Sequence, residues 1–174
     1  MIGQRKFLNE TFNSFTDGQV SLLEVTQKIK SFIQDEPKSA YNLVIGSDSH
    51  ERQGQDSKSY IQVVSAIVVH RIGFGGRYFW YRSGKQRVYS LREKIYLETL
   101  QSLDIARDFV PMIAYELDGP LHANYSLEIH IDVGQYGDTR DMIREILGMV
   151  TGFGFVAKTK PDSFAASYVA DKHT

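Results

Sequence analysis

The sequence has no cysteine, no long hydrophobic run and no excess of one charge. The lack of cysteine excludes a disulfide scaffold, a zinc-thiolate site, an iron–sulfur cluster and a cysteine nucleophile. No apolar run approaches the roughly 20 residues that cross a bilayer, and the polar first residues lack an apolar signal core. Because 20 Lys and Arg face 21 Asp and Glu, no overall basic field steers the chain onto nucleic acid. We therefore expect a cytoplasmic protein, with no membrane partner, whose phosphate-binding surface would have to be local.

The 174 residues fit one domain, 1–174, in which residues 1–37 form an N-terminal extension packed on the rest. Val20, Leu23, Ile29 and Phe32 recur at near-helical spacing until Pro37 stops the pattern. The spacing predicts a loop followed by an amphipathic helix of about 13 residues that covers one flank of a sheet.

A buried strand is predicted over residues 41–47, because three aliphatic residues precede Gly46-Ser47-Asp48. Such a strand would deliver Asp48 to the open end of a sheet, although Asp48 and Ser49 could equally open a turn. Further strands are predicted over residues 60–70 and 77–82, joined by a glycine-rich turn at Ile72–Gly76. The three strands form an antiparallel meander.

The second half of the chain alternates between helices and strands. A long helix over residues 91–110 carries Glu98 within its apolar stripe, where the carboxylate either enters a site, reaches water or pairs with Lys94. A fourth strand over residues 127–134 alternates strictly, so that His130 and Asp132 share a face with Glu128. A helix over residues 138–150, a short strand over residues 155–159 and a last helix after Ser163 complete the chain.

This order of elements predicts a ribonuclease H-like α/β fold. Its sheet has five strands, the antiparallel meander plus two parallel strands, flanked by helices and by the additional N-terminal helix. In that arrangement the site carboxylates lie at the end of the first strand, on the first long helix, at the end of the fourth strand and on the last helix. This chain offers Asp48, Glu98, Asp132 and Asp171 at those places.

Four blocks of sequence also resemble the YkuK family of bacterial proteins. The blocks are Gly46–His50, Glu98–Leu103, Glu128–Gly134 and Lys160–Ser167 with Ala170–Lys172, and the resemblance runs from about Phe12 to Lys172. It implies a ribonuclease H-like fold and a candidate site, but no particular substrate.

The four carboxylates predict a metal-dependent nuclease. Two Mg²⁺ or Mn²⁺ ions would take oxygen ligands from Asp48, Glu98, Asp132 and Asp171 and hydrolyse a phosphodiester in RNA, DNA or a hybrid. Asp48 would bridge both ions. His50 and His130 share strand parity with these carboxylates, and Lys160 and His173 lie near the last helix, so the possible auxiliary residues are His50, His130, Lys160 and His173.

Cations and aromatic side chains along the third strand predict a nucleic-acid surface. Its phosphate-binding residues would be Arg77, Arg82, Lys85 and Arg87, with aromatic faces for stacking between them, although about half of those aromatics should pack in the core.

Two other functions stay open. The domain could be a catalytically silent ribonuclease H-like module that binds nucleic acid or a protein partner. It could also be a small-molecule phosphatase that uses His50 and His130 with Asp48 and Asp132.

Overall fold

A computed structural model describes residues 6–53, 59–117, 124–134 and 140–174. The strands are β1 Thr11–Ser14, β2 Gly18–Ser21, β3 Ala40–Gln53, β4 Ser59–Arg71, β5 Gly75–Arg87, β6 Asn124–His130 and β7 Val156–Lys158. The α-helices are α1 Leu22–Gln34, α2 Leu91–Leu117 and α3 Ile143–Gly152. A π-helix over Ala165–Ala170 and a 3₁₀ turn over Asp171–His173 form the C-terminal helix. Shorter 3₁₀ turns lie at Phe7–Asn9 and Arg140–Met142.

All seven strands belong to one mixed sheet in the order β2-β1-β5-β4-β3-β6-β7. The predicted meander is present: β3 pairs with β4 and β4 with β5, all antiparallel, through a turn in which Gly73 and Gly75 have positive φ. β6 lies parallel to β3, and β7 lies parallel to β6. The mixed α/β architecture agrees with the predicted ribonuclease H-like class, but the predicted count of five strands is wrong.

The two additional strands come from the N-terminal segment, which was predicted to be a loop before its helix. β1 and β2 form a hairpin that pairs onto the edge of the sheet at Asn13 and Trp80. The predicted helix follows as α1, whose Ser21 and Glu24 form a capping box at its start. The N-terminal extension therefore lengthens the sheet as well as covering it.

The two faces of the sheet are covered unequally. The main core lies between the sheet and helices α1, α2 and α3. A smaller apolar cluster on the opposite face joins Val44, Val64, Ala66 and Val68 to Ala165 and Ala170 of the C-terminal helix. Because side chains alternate along a strand, neighbouring residues of β3 face different helices. None of the helices in the described parts of the chain combines the length and the apolar character that a membrane span requires.

Candidate metal centre

Asp48 lies inside strand β3, only 8% exposed, on the face that carries the C-terminal helix. β3 was predicted to end at Ser47, but it continues to Gln53 because β4 pairs with it along that whole length. Its other neighbour, β6, stops at the pair Gly46 and His130. Asp48 therefore stands where the parallel part of the sheet ends, beside a gap that other side chains can enter.

Three side chains meet at this gap. One ligand atom each from Asp48, His50 and Asp171 lies within 4.8 Å of the other two. His50 follows Asp48 by two residues on the same face of β3, and its Nε2 is 3.7 Å from Asp171 Oδ1. Asp171 and His50 are both about half exposed, so the group opens to solvent on one side.

Glu98 stands beside this group but is not a member of it. Its side chain is buried, and its Oε1 accepts a hydrogen bond from Ser49 Oγ at 2.7 Å and lies 3.6 Å from Lys94 Nζ. Burial raises the pKa of Glu98 to about 7, against the opposing effects of Lys94 and Ser49, and the charges of Asp48 and Asp132 add to the rise. The alternative that Glu98 reaches water is therefore excluded, whereas its pairing with Lys94 is present.

Asp132 lies just beyond β6 rather than within it. The fourth strand was predicted to run to residue 134, but β6 ends at His130. Backbone hydrogen bonds from Ile131 to Lys158 and from Lys160 to Val133 still hold this segment beside the end of β7. As a result Lys160 Nζ is 2.9 Å from Asp132 Oδ1. Asp132 raises the pKa of Lys160, first through this hydrogen bond, and the charges of Asp48 and Asp171 act in the same direction.

Burial also governs the charge of Asp48. It raises the pKa of Asp48, Lys94 and a backbone hydrogen bond at Ser49 oppose the rise, and Asp132 and Asp171 add to it. The four predicted carboxylates are therefore close enough to influence one another, although the structure brings only two of them, with His50, into a tight donor group.

Two of the predicted auxiliary histidines hold the C-terminal helix in place. His130 is buried; its Nδ1 accepts from the Ala165 amide at 3.2 Å, so its Nε2 carries the proton donated to Glu128 at 3.1 Å. His173 stacks on Trp80, with ring centroids 3.9 Å apart, and its Nε2 contacts the Tyr78 hydroxyl at 3.1 Å. Both rings are thus engaged away from the group formed by Asp48, His50 and Asp171.

The four predicted phosphate-binding cations do not form one surface. Arg77 faces the α1 side of the sheet, where it pairs with Asp17 at 2.5 Å and donates to Thr16. Arg82 donates to the carbonyl of His173, and Arg87 packs on Tyr60. Of the four, Arg82, Lys85 and Arg87 lie on the face of Asp48, because the register of β5 shifts between Arg82 and Lys85.

A buried polar network that the sequence did not reveal supports the site from behind. Ser47 Oγ contacts Ser102 Oγ at 2.7 Å and also Ser65 Oγ, while Gln101 Nε2 donates to Ser65 at 2.7 Å. Together with Ser49 and Glu98, these contacts fix how α2 sits on β3 and β4. The signal was the pair Ser47 and Ser49, two residues apart on β3, but serine by itself is a common turn residue.

The donor atoms fit a divalent cation. Two carboxylates and one imidazole within 4.8 Å suit ions such as Mn²⁺ that accept both oxygen and nitrogen ligands. The side chains of Asp48, His50 and Asp171 together are therefore able to bind one metal ion.

The fold and this acidic site define the class of protein. Residues 24–174 match the Ribonuclease H-like family, so the chain belongs to that family. Within it, the chain is 34% identical to the uncharacterized protein YkuK of Bacillus subtilis (strain 168), over 94% of this chain and 96% of that protein. The chain is therefore a member of the YkuK family, as its sequence blocks predicted.

Proposed function

We propose that this chain is a single-domain, cytoplasmic, divalent-metal-dependent nuclease that hydrolyses phosphodiester bonds. The observation that carries the proposal is the group formed by Asp48, His50 and Asp171, whose ligand atoms lie within 4.8 Å of one another at the end of the parallel strands. Membership of the Ribonuclease H-like family supports it.

Asp48, His50 and Asp171 would hold the first cation, either Mn²⁺ or Mg²⁺. Asp132 and Glu98 are the residues that would complete a second position, with Asp48 shared between the two. Divalent cations held by these residues would supply the positive charge that activates a water and stabilises the departing oxygen. Ser49 and Lys94 orient the Glu98 carboxylate. With its pKa raised to about 7, Glu98 can hold a proton in the metal-free protein and release it near neutral pH.

The substitution Asp48→Asn tests the proposal. We expect it to abolish Mn²⁺-dependent cleavage of labelled RNA and DNA oligonucleotides, because one charged ligand and the bridge between the two cation positions are lost. The melting temperature of the metal-free protein should stay the same or rise, since burial already opposes the charge of Asp48.

The matched control is Asp141→Asn, an exposed carboxylate outside the site, which should cleave like the unchanged protein. Cleavage that survives Asp48→Asn would remove Asp48 from the chemistry. Activity on a simple phosphate ester with none on oligonucleotides would indicate the small-molecule phosphatase instead.

One observation favours a catalytically silent module that binds nucleic acid or a protein. Lys160 already supplies positive charge to Asp132, Asp48 and Asp171, so the acidic group could be neutralised without metal. Mn²⁺ would then leave the melting temperature unchanged, whereas a cation that binds only the native state raises it.

A further inference from the structure

A cavity of about 320 Å³ adjoins the candidate metal centre and shares His50 with it. It is lined by cross-strand neighbours from three strands, together with Ile61 and with Thr174, which follows the C-terminal helix. His50, Gln62 and Lys85 lie opposite one another, and Arg52 and Tyr60 form the next row. Because strand residues two apart share a face, these side chains continue the surface that bears Asp48. At about 3.3 Å per residue, Arg52 lies roughly 13 Å beyond Asp48 along β3.

A β-bulge brings Lys85 to this face. Gln62 pairs with Lys85 but Val64 pairs with Arg82, so Ser83 and Gly84 together oppose the single residue Val63. Without the additional residue, strict alternation would place Arg82 and Lys85 on opposite faces of β5. The Val63 amide donates to Ser83 Oγ at 3.0 Å, which satisfies the buried N–H that the bulge leaves out of the ladder.

The cavity combines the groups that recognise a nucleotide. Lys85 and Arg52 supply positive charge for phosphate, and the Tyr60 ring, held by Arg87 at 5.6 Å, supplies an aromatic wall. The Gln62 amide nitrogen donates to the Ser83 carbonyl at 2.7 Å, which fixes the amide and leaves its oxygen as an acceptor for a base edge. None of the side chains that line the cavity in the described parts of the chain is a carboxylate.

The size of the cavity restricts what can enter. Its 320 Å³ lies at the lower end of the range of about 300–1,000 Å³ that is typical of small-molecule sites. This space accommodates one base with its sugar, whereas a base pair within a duplex cannot enter it.

We propose that this cavity binds one unpaired nucleotide next to the phosphodiester that is cut, so that the substrate is a single strand. The proposal rests on the proposed nuclease function, because His50 joins the cavity to the candidate metal centre.

Binding in EDTA tests the cavity without any cleavage. The probes are short fluorescein-labelled oligouridylate, oligothymidylate and a blunt duplex, and the RNA and DNA arms show which sugar is preferred. We expect the single strands to bind more tightly than the duplex. Lys85→Ala and Arg52→Ala should each weaken single-strand binding and reduce the slope of log K against log salt by about 0.7, because one phosphate contact is lost.

Tyr60→Leu separates stacking from charge. It should weaken single-strand binding by at least about fivefold, the lower bound for loss of one stacked base, while leaving the salt slope unchanged. Lys38→Ala, which removes an exposed cation outside the cavity, is the control and should bind like the unchanged protein. Arg52 and Lys85 are exposed, so their variants should keep the melting temperature and decide the test if Tyr60→Leu does not fold.

Equal affinity for duplex and single strand, or cavity variants that bind like Lys38→Ala, would overturn the proposal. Failure of the cavity and failure of the nuclease are distinguishable, because one is measured as binding in EDTA and the other as Mn²⁺-dependent cleavage. A protein that cleaves oligonucleotides while its cavity variants bind normally would be a nuclease with a different substrate site.

Discussion

At the scale of single residues, Glu98 combines burial with a charge that is only partly compensated. Ser49 donates one hydrogen bond and Lys94 lies 3.6 Å away, yet burial still raises the pKa of Glu98 from the ordinary value of 4.5 to about 7. Between these two values the native state binds a proton that the unfolded state has lost. The free energy of unfolding therefore falls as the pH rises from about 4.5 to 7.

We expect Glu98→Gln to remove this pH dependence. The amide is neutral at every pH, so in EDTA the variant should exceed the unchanged protein in unfolding free energy by about 1–3 kcal/mol at pH 8, and by much less at pH 4.5. Urea unfolding at the two pH values measures the difference. Glu51→Gln, an exposed residue of the same strand as Asp48, should show no such change.

If the free energies of unfolding of Glu98→Gln and the unchanged protein differ by the same amount at both pH values, the raised pKa of Glu98 is contradicted. If Glu98 completes the second cation position, the same variant should lose the part of the Mn²⁺-dependent stabilisation that this position contributes and keep the part from Asp48, His50 and Asp171.

The histidines show how far residue type and parity can predict a role. His50 and His130 were placed with the site for the same reason, their position on the face of a neighbouring carboxylate. His50 does meet Asp48 and Asp171, whereas His130 is buried with partners on both ring nitrogens. The alternation of side chains along a strand predicts which face of the sheet a residue lies on. It does not predict the neighbours on that face, because they come from elements distant in sequence.

At the scale of elements, hydrophobic periodicity predicted the strands of the meander, the long helix and helix α1. It failed where elements are short or irregular. β1 and β2 have four residues each, too few for alternation to stand out, although Asp17-Gly18 is a recognised turn signal. Residues 50–53 contain no aliphatic side chain, so the polar end of β3 was predicted to be a loop and the cavity beside it was missed.

The bulge in β5 is another feature that periodicity cannot supply, and its stability depends on one hydroxyl group. Ser83→Ala should leave the buried Val63 amide without its partner and reduce the free energy of unfolding by about 1–3 kcal/mol. Because the bulge directs Lys85 to the cavity, the same variant should weaken single-strand binding. Chemical unfolding and fluorescence anisotropy measure the two effects.

Ser83→Thr retains a hydroxyl group and provides the matched comparison, which should recover most of both losses. A Ser83→Ala protein with unchanged stability and unchanged binding would show that the bulge does not depend on this hydrogen bond.

At the scale of the whole molecule, the order of elements accounts for most of the site. A central strand, a helix on one face and a C-terminal helix on the other bring residues from across the chain to the end of the parallel strands. The predicted order of elements places Asp48, Asp132 and Asp171 near enough for their charges to act on one another, while their role as ligands stays a prediction. The sequence could not predict which of them form the tight donor group, because that depends on where β3 and β6 end.

A substitution of Lys160 tests whether the acidic site binds metal and whether its charge affects the stability of the whole domain. The Lys160 ammonium group lies among the carboxylates that would hold a cation, so it competes with metal for the same negative charge. We expect Lys160→Met to lower the melting temperature of the metal-free protein, since the carboxylates lose their compensating charge. The same change should increase Mn²⁺ affinity by at least about fivefold, because even at the dielectric constant of water two unit charges about 4 Å apart interact by about 1 kcal/mol.

Calorimetric titration and thermal unfolding at rising Mn²⁺ concentration measure both effects, with Lys38→Met as the control that removes the same charge elsewhere. If the protein is a metal-dependent nuclease, Mn²⁺ should restore the stability that Lys160→Met loses, because the ion supplies the positive charge of the missing ammonium group. If the variant is destabilised and Mn²⁺ restores nothing, Lys160 neutralises the acidic group permanently. The ribonuclease H-like architecture then serves binding alone.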